Sequence, residues 1–581
     1  MPDQARHEAM MPLQHFWQSP RARYILPGAL VVLGGVLRVW GLTFGLPFTG
    51  AHPDETKFVS IGLGFGYGDL NPHFFGYPSL LFYLTSAAFA ALYAGGHFLG
   101  CFPSLFAFKW QFFTDPSPFY VAARLLPAGL GTLTVLFAYR LGAALAGRPA
   151  GLLAALVMAT NPLHVRNSHF ATSDVPMAAF VTLALYHGVR ASQRGALRDF
   201  LRAGICYGLA ASTKYPAVLF LPALLGASLW PEGKAGQVPA RVRFGRLGLG
   251  LAGAAVALIL TSPYLLLDWT AAVRDVHYLS GLRGTGWFGD PGEPAWRYHL
   301  DFSLYYGLGF PLLAVLVACL TRLVARRERA ALSVCAGTLA YFAFMGAGRL
   351  AFSRYMVPVI PPLCALVGTL AAWPKLREVA RTRNGRLVLT CGLALVLALP
   401  LYRVIQQDWL FARADTRLVA RDWILAHVPS GATLARVGSP FQFSWLEVPL
   451  SRTAWEKTIA SAGPRGGGLT GWRTAREMLA APGFPPGPSY TVLDGRRLSD
   501  VVPASGSPLY VAIQEHSLKN FADVHPEDRR TLERDAALLW EINPERGAAA
   551  VYERHDGIFL PFARFGGVTR PGPAIRIYRL P

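Results

Sequence analysis

Two acidic and three basic sites stand out in a chain otherwise poor in charge. Asp54 and Glu55 lie together in AHPDETKFVS, a few residues past the first long apolar run. Asp174 lies in NPLHVRNSHFATSDVPMAAF, directly ahead of another apolar stretch. Lys214 interrupts AASTKYPAVLF, and Arg349 and Arg354 lie in GRLAFSRYMVPVIPP. Ionisable residues beside or within a membrane are costly, which makes them functional by default. Carboxylates at a common mouth can orient an acceptor hydroxyl, bind a divalent cation, or both. Converging cations suit a phosphate, which Arg grips through two oxygens and Lys meets as a point charge. Each residue also has a plainer role: Asp54 and Asp174 can cap the helices that begin beside them, and a single Lys or Arg can snorkel. A divalent-cation cofactor stays open on this reading. His52, His73, His164 and His169 fall in the same outer loops without metal-type spacing and read as interfacial packing. The chain has no Walker-type phosphate loop and no dinucleotide fingerprint after a strand, which argues against nucleotide-driven chemistry on the cytoplasmic side.

The elements that must position these groups follow from composition. Of 581 residues, 52% are hydrophobic and 15% charged, against about 25% charged in a soluble protein. Disorder requires low hydrophobicity and a disulfide scaffold requires denser cysteine than six in this length, so both classes are excluded. Cys206, Cys319, Cys335, Cys364 and Cys391 fall within apolar runs and read as small apolar residues. The first run, Tyr24–Leu42, follows Arg21 and Arg23 and reads as an uncleaved signal-anchor. Further runs lie near 119–145, 150–165, 174–191, 201–213, 216–230, 247–266, 303–321, 331–347, 355–373 and 387–405. Their lengths predict an all-α polytopic membrane bundle of about 11 transmembrane helices, with outer juxtamembrane helices.

Lys and Arg cluster at 190–202, 234–246, 322–329 and 375–386. Placing these loops in the cytoplasm puts residues 1–23 inside and the C-terminus outside. The net charge of +21 is then a matter of topology; a nucleic-acid partner is not expected, because the basic residues are spread over separate short loops. Tyr77–Leu99 is apolar enough to span, yet counting it would reverse every later loop, so it is placed outside as a juxtamembrane or re-entrant pair. After Gln406 the composition turns soluble. A helix is predicted over Asp415–Val428 and strands at Tyr490–Leu493, Leu509–Ile513 and Ala574–Tyr578. Residues 407–581 are thus expected to form a small α/β extracytoplasmic domain, behind a transmembrane catalytic domain over 24–406.

The order of motifs resembles the GT-C superfamily of integral-membrane glycosyltransferases, in particular the protein O-mannosyltransferases and the bacterial lipid A aminoarabinose transferases. The resemblance covers about residues 20–406. It runs through HPDET, GYPSLLFYL, VAARLLPAGLGTLTVLFAYRLG, GLLAALVMATNPLHVRNSHFATSD, STKYP, SPYLLLD and SRYMVPVIPP. It implies that Asp54 is the catalytic carboxylate with Glu55 beside it, that Asp174 is the second acidic position, and that Lys214 and Arg354 lie near a lipid phosphate. Arg349 joins them as a donor-phosphate candidate on its position alone. Tyr77-Pro78-Ser79 stands where related proteins often have Tyr-Pro-Pro, and no residue is implied in the C-terminal region. The implied activity is inverting transfer of a sugar from a polyprenyl-phosphate donor to a hydroxyl of a protein, lipid A or a glycan. The expected location is the lipid bilayer of a bacterial cytoplasmic membrane, with the active site on its outer face. A secondary transporter or lipid flippase is the competing expectation, although it would normally show related halves. A non-catalytic assembly protein is the third.

Overall fold

Apolar runs broken by Gly and Pro fold here as helices of uneven length. The computed structural model describes residues 22–286, 293–438, 445–461, 469–501, 508–547 and 550–581. The segment 1–21, and with it Arg21, lies outside the described residues. The opening helix is Ala22–Val39. The longest of the following ones, Ser117–Ala146, carries prolines in its first turn and at Pro127, and ends at Gly147, whose φ of 86° stops the helix in a conformation that suits glycine.

Small residues let these helices approach closely. A side chain at Gly204 or Gly208 would strike the backbone oxygens of Gly250 and Ala254, so Leu197–Ala211 crosses Ala240–Thr261 backbone to backbone. The spacing of four between the glycines is the small-residue contact expected where lipid tails remove the hydrophobic drive for association. A core of Ala, Val, Leu and Met then joins helices Ser117–Ala146, Arg148–Ala159, Asp174–Arg194 and Leu197–Ala211 to the later ones.

Each expected span coincides with helix, but lengths differ. Among the described residues six helices are long and apolar enough to cross a membrane, or seven if the bent pair Trp296–Leu308 and Phe310–Ala325 is one span. Leu80–Phe98, inside the segment expected from loop charge to lie outside, is one of the six. Arg148–Ala159 and Leu197–Ala211 have only 12 and 15 residues. The first of them stops short because Asn161-Pro162 starts a new helix, Pro162–Asn167.

The last membrane-type helix, Arg383–Phe411, runs through position 406. Beyond it, Thr416–His427 is helical as the periodicity predicts. Strands β1 (Thr433–Val437), β2 (Thr491–Gly495), β3 (Leu509–Glu515), β4 (Ala537–Ile542) and β5 (Ala574–Leu580) form one sheet in the order β2-β1-β3-β5-β4. β1 pairs parallel with β2 and β3, whereas β5 runs antiparallel to β3 and β4. β2, β3 and β5 lie where alternation placed them; β1 and β4 did not stand out in the sequence. A second apolar cluster of Phe44, Phe48, Phe170, Phe411, Ile558, Leu560 and Phe565 fastens the C-terminal region to the loop after the opening helix.

Candidate active site

Asp54 occupies the position just before the helix Glu55–Gly64, but its carboxylate makes no cap hydrogen bond. It is turned instead to Arg354, with Oδ2 3.0 Å from Nη2. The side chain of Asp54 keeps 31% exposure and that of Arg354 only 11%. Burial opposes the charged form of Asp54, yet Arg354, followed by His52, Lys214 and Lys57, holds its carboxyl below the usual carboxylate range. Asp174 is likewise turned to a cation instead of a cap. It is the first residue of helix Asp174–Arg194, with no side-chain cap at Ser173, and its Oδ1 accepts from Lys214 Nζ at 2.6 Å. The Lys214 ammonium also lies 4.9 Å from the ring centre of Tyr355 and 5.9 Å from that of Tyr77.

Three of the motifs are tied together by serines. The Ser79 N–H donates to Ser262 Oγ at 2.9 Å, and the Ser212 and Ser262 hydroxyls are 2.5 Å apart. The Leu80 N–H donates to the Ser212 carbonyl at 3.2 Å. The Tyr215 hydroxyl donates to the Phe75 carbonyl at 2.9 Å. The serines of GYPS, STKYP and SPYLLLD therefore form one buried knot, which holds the Tyr77 ring and the Lys214 ammonium near each other.

Glu55 faces the other way. Its carboxylate accepts from Arg124 Nε and Nη2 at 2.8 and 2.7 Å and from the Ala171 N–H at 2.8 Å, with no exposure. Arg349 is exposed, its backbone N–H donates to the Arg283 carbonyl, and no ion pair among the described residues includes it. His73 pairs with Asp69 at the surface. His52 is buried against Phe170. His164 takes a hydrogen bond from Arg38, and His169 stacks on Phe411. Among the described residues no three His, Cys, Asp or Glu side chains converge on a common point. Asp54 and Asp174, the carboxylates a divalent cation would draw on, each already face a cationic side chain.

The C-terminal region adds groups that were not singled out in the sequence. Asp556 Oδ2 is 3.7 Å from Arg354 Nη1. Glu553 accepts from the Ser353 N–H at 2.6 Å, the Ser353 hydroxyl at 2.5 Å and the Tyr298 hydroxyl at 3.0 Å. Arg166 lies over the Phe562 ring at 4.3 Å. The one available signal was VYERHDGIFLPF, in which Glu553, Arg554, His555 and Asp556 abut an apolar run.

The site thus gathers Asp54, Asp174, Lys214, Arg354 and Asp556 from segments far apart in the chain. A partly exposed carboxylate with two cations around it can accept a proton from a hydroxyl while the cations receive a phosphate.

Residues 119–267 match the family model of dolichyl-phosphate-mannose-protein mannosyltransferase. The matched stretch holds Arg124, Asp174 and Lys214. No curated protein matches the chain. Among solved structures, ArnT from Cupriavidus metallidurans bound to undecaprenyl phosphate is 16% identical, with 96% of this chain and 98% of that one covered and a TM-score of 0.49. Archaeal oligosaccharyltransferase AglB from Archaeoglobus fulgidus, in complex with an inhibitory peptide and a dolichol-phosphate, is 14% identical, covering 72% of this chain and 62% of that one, with a TM-score of 0.46. The arabinofuranosyltransferase AftD from mycobacteria is 16% identical, covering 97% and 40%, with a TM-score of 0.44.

Proposed function

We propose that this chain is a membrane glycosyltransferase that moves a sugar from a polyprenyl-phosphate donor to an acceptor hydroxyl at the outer face of a bacterial cytoplasmic membrane. The observation that carries the reading is the 3.0 Å approach of Asp54 to Arg354, with Lys214, the partner of Asp174, also acting on Asp54. The family-model match over 119–267 supports the same class. Residues 24–406 form the catalytic part in this reading, with about eleven helical passes, the shorter ones shielded by their neighbours. Residues 407–581 form the extracytoplasmic part.

The chemistry is a single displacement. The acceptor oxygen attacks the anomeric carbon as Asp54 takes its proton, assistance worth about 10²–10⁴-fold. The bond from that carbon to the phosphate oxygen breaks, and polyprenyl phosphate leaves with the electron pair. Arg354 and Lys214 balance the charge that develops on it. One displacement inverts the anomeric centre.

Arg354 has two duties that conflict. While it rests on Asp54 it weakens the base, as the lowered carboxyl indicates. An incoming donor phosphate competes for the same guanidinium and, in drawing it away, restores the basicity of Asp54. Donor binding and base activation are then a single event. Glu55, sealed against Arg124, serves as scaffold and not as a reacting group. Arg349 is left to the protein surface, within reach of lipid headgroups.

A radiolabelled transfer assay on membranes, with a panel of lipid-linked sugars and with protein, lipid A and glycan acceptors, tests the proposal. Transfer by the wild type and none by Asp54→Asn is expected. Solute accumulation without glycosyl transfer would instead favour a transporter.

A further inference from the structure

Arg354 lies between two carboxylates from opposite ends of the chain. Nη2 meets Asp54 at 3.0 Å and Nη1 meets Asp556 at 3.7 Å. The turn that bears Asp556 is firmly fixed. Glu553 holds both the N–H and the hydroxyl of Ser353, the residue next to Arg354. The His555 Nδ1–H donates to the Ala351 carbonyl at 2.5 Å. Asp556 itself is 9% exposed, too enclosed for a solvated surface charge.

We infer that Asp556 is a positioning residue of the transferase site: it holds one edge of the Arg354 guanidinium so that the other edge can pass from Asp54 to the donor phosphate. This inference rests on the glycosyl-transfer reading above. A guanidinium beside a single carboxylate tends to close on it through two parallel hydrogen bonds. Arg354 closed on Asp54 in that way would neutralise the base and hide the cation from the phosphate together. A second carboxylate on the far edge keeps the guanidinium shared, so a phosphate can displace Asp54 without Arg354 losing its anchor.

The surrounding charges agree with that arrangement. Arg354, His52, Lys214 and Lys57 act on Asp54, with the Tyr77 and Tyr355 hydroxyls also near it. Arg354, Arg166, Glu553 and Tyr298 surround Asp556. Arg166 counters the excess negative charge of Glu553 and Asp556, so Asp556 can hold Arg354 without repelling the phosphate outright.

The test uses the purified full-length chain, a radiolabelled polyprenyl-phosphate sugar and the acceptor found in the membrane assay. Donor KM, kcat and the pH profile of kcat/KM are measured. Asp556→Asn is expected to raise donor KM about tenfold, the loss of one charge-assisted contact, and to move the acid limb to lower pH. The limb moves down because Arg354 then bears on Asp54 alone. Asp556→Glu should return donor KM to within about threefold of wild type, since it restores the charge. Unchanged KM and acid limb in Asp556→Asn overturn the inference, and so does a lowered KM, which would make Asp556 a competitor of the phosphate. Should the amide variant not accumulate as folded protein, Asp556→Ser is read by the same criteria. A wild type that transfers, with an indifferent Asp556 variant, sinks only this inference. A wild type that transfers from no polyprenyl-phosphate sugar sinks the transferase reading beneath it.

Discussion

Glu55 and Arg124 form a bidentate ion pair at 2.8 and 2.7 Å, with neither side chain exposed. Arg124 Nη1 donates to the Leu42 and Phe44 carbonyls at 2.8 and 2.7 Å. The pair therefore pins the loop after the opening helix to helix Ser117–Ala146, and so fixes the backbone on which Asp54 stands. Removing one partner leaves a buried charge unmatched, at a cost of about 3–5 kcal/mol. Glu55→Gln and Arg124→Met should each lower the thermal midpoint of the detergent-solubilised protein sharply, and the double variant should lose less than the sum. Additive losses in a double-mutant cycle would contradict the pairing.

Asp54→Asn has two consequences of opposite sign. Transfer should fall by about 10²–10⁴-fold, because the proton acceptor is gone. Binding of polyprenyl phosphate should tighten severalfold, because Arg354 is no longer held by a carboxylate. Isothermal titration with the lipid phosphate, beside the transfer assay, checks both. Weakened binding would show that Asp54 orders the phosphate site.

The pH profile carries a signed expectation. A neighbouring cation lowers a carboxyl, so Asp54 stays ionised to lower pH than an ordinary aspartate. The acid limb of kcat/KM, which reports the free enzyme, should therefore lie below the usual carboxylate range. Arg354→Gln removes the largest lowering influence and should move that limb to higher pH in whatever activity remains. A limb that stays in place would mean that Asp54 is not the group titrating.

Ser262 separates scaffold from chemistry. Its oxygen receives the Ser79 N–H and meets the Ser212 hydroxyl. Ser262→Ala strands a buried backbone donor, at about 1–3 kcal/mol. Lowered stability and kcat with an unmoved pH profile are expected, measured by thermal melts and the transfer assay. A shifted profile would place Ser262 in the proton chemistry.

How much of this was legible in the sequence depends on the range of each interaction. Asp54, Asp174, Lys214 and Arg354 were readable because a charge beside an apolar run is conspicuous without knowing its partner. Which of them pair was not readable. Asp174–Lys214 and Asp54–Arg354 span 40 and 300 residues, and local periodicity has no term for such contacts. That Glu55, beside Asp54 in the sequence, pairs with Arg124 was not readable either, because successive residues at a helix start point in different directions. Arg124 was hidden in a run that reads as pure span. β1 escaped notice because Thr-Leu-Ala-Arg-Val is short and only weakly alternating, while β5, with Ile575, Ile577 and the buried Tyr578, declared itself. Span counting met a physical limit too: helices lined by other helices need neither the length nor the hydropathy of lipid-facing ones.

Glu553 links the pH dependence of stability to the site. Burial, then the nearby Asp556, raise its carboxyl above the ordinary 4.5, against the pull of the Ser353 hydrogen bonds and Arg354. A carboxyl raised on folding binds its proton more tightly in the native state than in the unfolded one. Stability contributed by that proton is present below the unfolded value and is lost as pH rises through the folded one. The attachment of the 551–562 segment to the Ser353 turn should therefore loosen as pH rises above the ordinary glutamate range. Glu553→Gln keeps an acceptor for Ser353 and Tyr298 but cannot ionise, so it should flatten that slope and protect the segment at high pH. Amide hydrogen exchange of residues 551–562, followed across pH in wild type and variant, measures it. Exchange that slows with rising pH in the wild type, once corrected for the intrinsic rate, would show that folding lowers the Glu553 carboxyl and that its charge, held by Ser353 and Arg354, is what fastens the segment.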